Sequence, residues 1–441
     1  MYTLLKGGRV LDIESGLFGQ KDILVKDTHI IQVADRISVQ GTYEVLDCTN
    51  KWIIPGLIDM HVHIKHSFAP FFTAAGVTTV RNTAGSVLEL ADMMVEEPQS
   101  IHPRVISADR MIDGPPGLWG DTSPYNLNTD DEGEARQEVR RQVEAGADFT
   151  KVYGWLEKHV MEAVVDEAKR HHKEVSCDLL YSTSVTAIDA ANIGIKWNEH
   201  CSGVLQAIFP RWSMKAEQHA WDAIDWELPD EEKIAEVCQV LLDKGVVLCP
   251  TMTLFDQMNL LNDYWKPNHP IIQKIAENDG LMKQWHWMLD QQEGLKPLGM
   301  QHAYTKKIAY IYHKMGGLVV TGTDTPAGIF TYPGMALHRE LMLFVESGFT
   351  ETEALQAATI HAADALGRND VGRIQENAVA DLVVLNENPI QNIEHTRDID
   401  CVVKGGQVMD YDSIFQQLMT PERQEEFMNE LWRKFEEFQL L

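Results

Sequence analysis

Two kinds of hydrophobic pattern divide the 441-residue chain. Near the N-terminus, short runs of strand-forming residues are separated by turn residues, as in YTLLKGGRVLD, KDILVKDTHIIQVAD and YEVLDCTNKWIIPG. The same pattern returns near the C-terminus in VGRIQENAVADLVVLNENP and IDCVVKGGQVMD. We therefore expect strands from both chain ends to pair into one small composite β domain, formed by residues 1–55 and 372–412.

The middle, residues 56–371, alternates short apolar strands with amphipathic helices, which is typical of a parallel sheet covered on its outer face. Thr350 and Glu353 have the spacing of a capping box at the start of one helix. A second helix is predicted to end at Gly245, and its apolar stripe comprises Ile234, Val237, Cys238, Leu241 and Leu242. Eight strand candidates occur: GLIDMHVH, GVTTVRN, RVISAD, ADFTKVYG, KEVSCDLL, IKWNEH, GVVLCPT and GLVVTGTD. This count predicts an α/β fold with a (β/α)₈ barrel. The alternative, a doubly wound open sheet, lacks a glycine-rich phosphate turn after its first strand.

The carboxyl ends of barrel strands form the active-site face, so ionisable residues at those ends are candidates for chemistry. The first strand supplies two histidines, and the fourth, fifth, sixth and eighth strands each supply one group: His61, His63, Lys151, Asp178, His200 and Asp324. Each follows apolar residues, where an unpaired charge would be costly. Converging on one axis, these side chains form a nitrogen and oxygen ligand set suited to zinc or a similar divalent ion.

Taken singly, each of these residues also has an ordinary structural interpretation. Lys151 is compatible with a snorkelling side chain or an ion pair, and Asp324 with the cap of a turn. His200 alone is compatible with a satisfied core histidine, and the two first-strand histidines with polar residues at a strand terminus. Their common position at strand ends is what favours a metal site.

The overall charge limits the classes of partner. Sixty-six acidic residues against 38 basic residues give a net charge of −28, which argues against binding to nucleic acid or to an anionic membrane. No apolar run approaches the ~18–20 residues of a membrane span, and the first residues lack the pattern of a secretory signal. Six scattered cysteines are typical of reduced thiols. We expect a cytoplasmic enzyme that acts on a small molecule.

Several motifs together resemble the amidohydrolase superfamily, in particular its imidazolonepropionase-like and Xaa-Pro-dipeptidase-like branch. They are GLIDMHVH, AAGVTTVRN, DFTKVY, NEHCSG, TGTDTP, GMALHREL and ADLVVLNENPI, and the resemblance extends to about Asp410. It implies a TIM barrel with a small β-sandwich domain formed from both chain ends, and one or two divalent metals per chain. Zinc is the expected metal, with manganese, cobalt and iron as alternatives.

The resemblance also implies a role for each strand-end residue. His61, His63 and Asp324 would bind the more buried metal, His200 would bind a second, and Lys151 would react with CO₂ to form a carbamate that bridges the two. The family places a further histidine at the end of the fifth strand, where this chain has Asp178. Three outcomes stay open: a modified two-metal site that is less selective for zinc, a one-metal enzyme, or a metal-poor, catalytically altered relative. Strand alternation points the neighbouring Cys177 away from the Asp178 side, so Cys177 is a weaker ligand candidate.

The expected reaction is hydrolysis of an amide-type C–N bond in an N-acyl amino acid, a dipeptide or a cyclic amide by metal-activated hydroxide. Asp324 would accept the proton of the water and pass it to the departing nitrogen. Lactone or phosphotriester hydrolysis at the same site is the alternative. Arg81, Tyr153 and His338 are candidate substrate contacts, although Arg81 can equally pair with an internal acid. Aromatic residues in loop-like stretches are further candidates for a pocket: Trp119, Phe255, Trp265 and Trp285.

The last segment, residues 413–441, is predicted to contain an amphipathic helix. Phe427, Leu431, Phe435 and Phe438 fall near one of its faces. We expect this face to dock on the barrel or on a neighbouring subunit, and the resemblance implies a homo-oligomer.

Overall fold

The structure is a computed structural model that describes residues 1–438 and 440. Its strands, in chain order, are β1 Tyr2–Asp12, β2 Leu17–Lys26, β3 His29–Ala34, β4 Glu44–Asp47, β5 Trp52–Pro55, β6 Leu57–Val62, β7 Val77–Asn82, β8 Arg104–Ser107, β9 Met111–Asp113, β10 Asn126–Asn128, β11 Thr150–Tyr153, β12 Val175–Asp178, β13 Trp197–Glu199, β14 Val247–Cys249, β15 Leu318–Val319, β16 Leu382–Leu385, β17 Ile399–Lys404 and β18 Gln407–Met409.

The helices, again in chain order, are α1 Ala69–Ala74, α2 Val87–Met94, α3 Glu132–Glu144, α4 Lys158–Arg170, α5 Ala187–Ile193, α6 Val204–Ile208, α7 Gln218–Trp221, α8 Glu231–Asp243, α9 Met252–Leu260, α10 Pro270–Ile275, α11 Asp279–Asp290, α12 Gln292–Gly299, α13 His302–Lys314, α14 Met335–Glu346, α15 Glu351–Ala357, α16 Ile360–Ala365, α17 Tyr411–Phe415 and α18 Pro421–Glu437. Short 3₁₀ turns cover Leu261–Asp263 and Ile393–Arg397.

Eight parallel strands form a closed barrel, in the order β6, β7, β8, β11, β12, β13, β14 and β15. Regular pairing joins β6 to β8 and β11 to β15. A bridge between Ala108 and Phe149 joins the first set to the second. A bridge between Val62 and Thr325, with a 2.8 Å hydrogen bond from the His63 N–H to the Thr325 carbonyl, closes the ring. The predicted TIM barrel is confirmed. The short strands β9 and β10 extend the sheet beside β11.

The barrel strands are buried on both faces, which explains their nearly continuous apolar sequences. All six residues of β6 and all six of β7 are buried. The predicted capping box of Thr350 and Glu353 opens α15, and Gly245 follows α8 with a φ of +64°. Helix α15 ends at Ala357, and after an interruption near Thr359 the chain continues as α16.

Strands from both chain ends share one eight-stranded sheet. Its order is β18-β17-β16-β5-β1-β2-β3, and β4 pairs with β1. The two halves meet where β5 pairs antiparallel with β16. Strands from both chain ends therefore pair as predicted, whereas the sandwich form and the domain boundaries stay predictions.

Helix α18 docks on the barrel of its own chain. Leu431 and Phe435 are buried, and the Phe427 ring lies 4.3 Å from the His66 ring between centroids. Phe438 was predicted to belong to the docked face, but it is 60% exposed and lies outside that face. No helix within the described residues is both long enough and apolar enough to cross a membrane.

Candidate metal centre

Three side chains at the closing point of the barrel contact one another: His61, His63 and Asp324, named here the histidine–aspartate group. The Oδ1 atom of Asp324 lies 2.9 Å from His63 Nε2 and 3.1 Å from His61 Nε2. His61 is fully buried, whereas about a quarter of the His63 side chain is exposed. Both histidines come from the end of β6, and alternation along the strand gives them the same face.

The other ring nitrogen of His61 fixes the state of its imidazole. His61 Nδ1–H donates to Oε2 of Glu199 over 2.7 Å, which places the ring proton on Nδ1 and leaves a lone pair on Nε2. Burial lowers the pKa of His61, so the ring is neutral. His61 Nε2 is buried and has no hydrogen-bond partner among the described residues, although it faces the Asp324 oxygen. A lone pair facing a carboxylate oxygen is repulsive unless a cation lies between them.

Glu199 is held in place by a buried network that the sequence did not reveal. Its Oε1 accepts hydrogen bonds from Arg81 Nη1 over 2.8 Å and from Ser176 Oγ over 2.5 Å. The Arg81 guanidinium lies between two aromatic rings, 4.0 Å from Phe149 and 4.2 Å from Trp197. Burial opposes ionisation of Glu199, but the charge of Arg81 and the His61 contact hold its pKa well below the ordinary value.

A second set of side chains lies on the neighbouring strands: Lys151, Asp178 and His200, named here the lysine group. His200 Nε2 lies 3.4 Å from Asp178 Oδ2, and the His200 ring centroid lies 4.6 Å from that of His61. The Lys151 side chain is buried, and within the part of the chain that the structure describes its Nζ atom has no hydrogen-bond partner. The two groups therefore adjoin, but contacts within the lysine group are longer.

Asp178 and the basic side chains beside it change one another's pKa values. Burial works against ionisation of Asp178, but His200 and Lys151 lower its pKa below the ordinary value. Asp178 in turn raises the pKa of His200 against the effect of burial. Burial raises the pKa of the Cys177 thiol, and Asn198 lies against its sulfur, so the structure gives Cys177 no part in the group.

The backbone is strained where the sixth and eighth barrel strands end. His200 has a φ of +64° and Asp324 a φ of +60°, in the left-handed region that non-glycine residues rarely adopt. Thr251, whose hydroxyl lies 2.6 Å from His200 Nδ1, has a φ of +48°. Such strain is typical of functional sites, where surrounding contacts hold a side chain in a required direction.

These residues fit a divalent cation. His61, His63 and Asp324 offer ligand atoms that all lie within 4.8 Å of one another, and these two ring nitrogens and one carboxylate oxygen are of the kinds that zinc binds. His61, Glu199 and Cys249 meet the same distance criterion. Both Glu199 oxygens already have hydrogen-bond partners, so we treat Glu199 as a support for His61.

The remaining predicted residues divide into those near the centre and those away from it. Tyr153 lies at the end of β11, with its ring 5.4 Å from Lys151 Nζ, and burial raises its pKa well above the ordinary value. The Phe255 ring centroid is 6.4 Å from that of His200. The structure pairs Arg81 with the internal acid Glu199, the structural alternative weighed above.

His338 is not brought to the centre. It lies on α14, where its Nε2 is hydrogen-bonded to the Ala75 carbonyl and its Nδ1 to the Thr396 hydroxyl, and burial lowers its pKa to about 3. Trp285 is buried and donates to the Pro326 carbonyl, whereas Trp119 is largely exposed. Trp265 is partly buried and packs against the main core.

Comparisons with known proteins bear on this arrangement. A profile described as "Amidohydrolase family" matches residues 52–409, which include both groups. A dihydroorotase from Pelotomaculum thermopropionicum is 33% identical over 153 residues, which cover 33% of this chain and 34% of that protein. The chain therefore spans about a third of the length of this curated relative.

Solved structures match over nearly the whole chain. A putative prolidase from Bifidobacterium longum has a TM-score of 0.68 and 22% identity, covering 98% of this chain and 99% of that one. A structure titled bottromycin amidohydrolase has a TM-score of 0.70 and 20% identity, covering 96% and 90%. At this level of identity the likeness supports a common fold.

Proposed function

Because this chain belongs to the amidohydrolase family, we propose that it is a metal-dependent hydrolase of an amide-type C–N bond. The observation that carries the proposal is the unpaired lone pair of His61 facing the Asp324 carboxylate in a fully buried site. In a purely structural site, we would expect a hydrogen bond between His61 Nε2 and the Asp324 oxygen. A divalent cation satisfies the nitrogen and the oxygen together.

The histidine–aspartate group would hold the first ion, and Lys151, Asp178 and His200 a second. When bound, a divalent ion of this kind supplies a water of lowered pKa and polarises the substrate carbonyl. Zinc suits the nitrogen-rich first set, and the oxygen of Asp178 makes the second set more tolerant of manganese, cobalt or iron.

Asp324 is the proton carrier of the proposed reaction. Burial opposes its ionisation, but the neighbouring His61 and the hydrogen bond with His63 hold the pKa of Asp324 well below the ordinary value, so it enters as a carboxylate. Its second oxygen, Oδ2, is free to accept the proton of the attacking water and to deliver it to the departing nitrogen. An amide nitrogen leaves poorly unless it is protonated, and this transfer supplies the proton.

Lys151 is proposed to carry a carbamate. Its amine would attack CO₂, forming an N–C bond and releasing one proton to solvent. The product is an anion that offers two oxygen ligands. A buried ammonium without a hydrogen-bond partner is costly, and carbamate formation would remove that charge from Lys151 Nζ. Tyr153, protonated because burial raises its pKa, has its ring 5.4 Å from Lys151 Nζ and would donate its O–H to a substrate oxygen.

The proposed substrates are an N-acyl amino acid, a dipeptide or a cyclic amide. The names of similar proteins include a prolidase, a dihydroorotase and an amidohydrolase, which is consistent with an amide substrate in this chain. Function in the cytoplasm as a homo-oligomer is also proposed, on the composition and the family resemblance.

The test is to count metal per chain and then to assay. Wild-type protein and Asp324→Asn are purified under metal-free conditions, reloaded with zinc or manganese, and assayed on acyl-amino acids, dipeptides, cyclic amides, lactones and activated phosphotriesters. Turnover of amides that requires both metal and Asp324 supports the proposal. Preferred turnover of lactones or phosphotriesters would replace the substrate class, and near-zero bound metal would overturn the reaction itself.

A further inference from the structure

A cavity of about 270 Å³ opens beside His63, between the loops that follow β6 and β7. Its walls are mostly apolar and include Ile64, Ala84, Leu90 and Met111. Ligand pockets for whole drug-sized molecules start near ~300 Å³, so this cavity suits one substituent of a substrate. Among the six predicted ligands, His63 has the most exposed side chain, and it forms part of this wall.

The charged groups at the edge of the cavity neutralise one another. Lys65 Nζ lies 3.0 Å from Glu89 Oε1, and the Tyr125 hydroxyl donates to Glu89 Oε2 over 3.1 Å. Lys65 Nζ also lies 5.2 Å from the Tyr125 ring centroid. Glu89 is almost fully buried and has both oxygens engaged. A charged substituent would find no free partner in this network.

The cavity wall formed by Tyr125 packs against helix α18. The Tyr125 ring packs edge-on against Phe435 of α18, with centroids 5.8 Å apart. Leu88 of α2 packs into the same cluster as Leu431 and Phe435. A pocket supported in this way keeps its shape, so it can discriminate substituents by size.

Resting on the proposed function, we propose that this cavity is the substrate's side-chain subsite, and that it takes an uncharged apolar group of leucine to phenylalanine size next to the scissile amide. The geometry assigns the group to this side because the cavity reaches His63, which contacts Asp324. Size selectivity follows from burial, since each added methylene that enters the cavity gains about fourfold in kcat/KM until the cavity is full.

The experiment uses full-length protein and two homologous series, acetyl-, butyryl- and hexanoyl-glycine and the dipeptides Gly-Ala, Gly-Leu and Gly-Phe. Met111→Trp fills the cavity and Met111→Ala enlarges it. Ala223→Trp, at an exposed position beside a remote surface cavity, is the matched control. We expect Met111→Trp to lower kcat/KM for the longest member of one series at least tenfold relative to its shortest member, and Ala223→Trp to lower neither. A loss that is uniform across both series, or the absence of any chain-length preference, overturns the subsite.

A binding measurement separates this inference from the reaction. Hexanamide is titrated against metal-free protein and followed by saturation-transfer NMR. If no substrate is hydrolysed, the proposed reaction fails. The subsite still stands in that case when hexanamide binds the wild type and Ala223→Trp but does not bind Met111→Trp. Equal hexanamide binding by all three proteins overturns the subsite, even if the enzyme is active.

Discussion

The two halves of the candidate centre are built differently. In the histidine–aspartate group, one Asp324 oxygen lies within 3.1 Å of both histidines, and a buried Arg81–Glu199 pair supports His61 from behind. In the lysine group, His200 and Asp178 are 3.4 Å apart, and Lys151 Nζ has no hydrogen-bond partner in residues 1–438 and 440. The histidine–aspartate group, the first half, is preorganised by these contacts. In the lysine group, the second half, the described side chains lie side by side without hydrogen bonds to one another.

This difference indicates an order of dependence. A preorganised ligand set can bind an ion with little further ordering, so the first ion needs only the protein. Under the proposed function, the second half would need an anion at Lys151 to complete its ligand set, and CO₂ would supply that anion. Variants of the first half should therefore affect every property of the centre, and variants of the second half should affect the second ion only.

Asp324→Asn should have the largest effect. It removes the proposed proton carrier, and we expect kcat to fall by at least about 10³-fold on every amide tested. The fold should survive, because the asparagine amide can donate a hydrogen bond to the lone pair of His61 Nε2, which faces a carboxylate oxygen in the wild type. Thermal unfolding of the metal-free variant should occur at or above the wild-type temperature. Turnover near the wild-type rate would remove Asp324 from the mechanism.

Lys151→Ala should have the next largest effect, about 10²-fold or more in kcat, with the metal content falling from two ions to one. Added formate or acetate should restore part of the activity by supplying the missing carboxylate. Native mass spectrometry of the wild type should show the mass increment of CO₂, and ¹³C-labelled CO₂ should give a carbamate resonance that the variant lacks. The exposed Lys233→Ala is the control and should change none of these. An unchanged metal count in Lys151→Ala would contradict the proposed order of dependence.

The barrel could be predicted from the sequence because each of its strands carries a local signal. Parallel strands buried on both faces have nearly continuous apolar sequences, and the first strand, around Met60, shows this clearly. The gathering of the strand-end candidates could be predicted because strand alternation and barrel closure, seen in the Val62–Thr325 bridge, bring strand ends together. Their role as metal ligands stays a prediction. A docked C-terminal helix could also be predicted, but the exposure of Phe438 depends on where the supporting surface ends.

The support of the site could not be predicted, because its partners are distant in sequence. Arg81 and Glu199 are 118 positions apart, and no local pattern pairs them. One weak signal was present: Glu199 directly precedes His200 within an apolar strand, where a carboxylate needs a partner. His338 is the reverse case: its motif suggested a substrate contact, whereas in the structure its ring nitrogens are hydrogen-bonded to the Ala75 carbonyl and the Thr396 hydroxyl.

Glu199→Gln should have a moderate effect that tests the support of the first half. The amide side chain no longer fixes the proton of His61 as strongly, so metal affinity should fall about 10- to 100-fold, measured by competition with a chelator. Arg81 also loses its counter-charge, and the free energy of unfolding should fall by about 3–5 kcal/mol. The double variant Arg81→Met, Glu199→Gln separates the two effects, since it should recover stability without recovering affinity. Recovery of both would mean that Glu199 acts on the fold alone.

Asp178→His should have the smallest effect and the most specific one, because it changes the kind of ligand atom in the second half and leaves the first half intact. Replacing an oxygen ligand by a nitrogen ligand should raise the preference for zinc over manganese at the second ion by about tenfold. Asp178→Asn is the matched control: it removes the charge without adding a ring nitrogen, so affinity for both metals should fall while their ratio stays constant. Competition titrations in metal-buffered solution measure both quantities. If the ratio is the same in wild type and in both variants, Asp178 only balances the charge of His200, and the second half of the centre holds its ion without it.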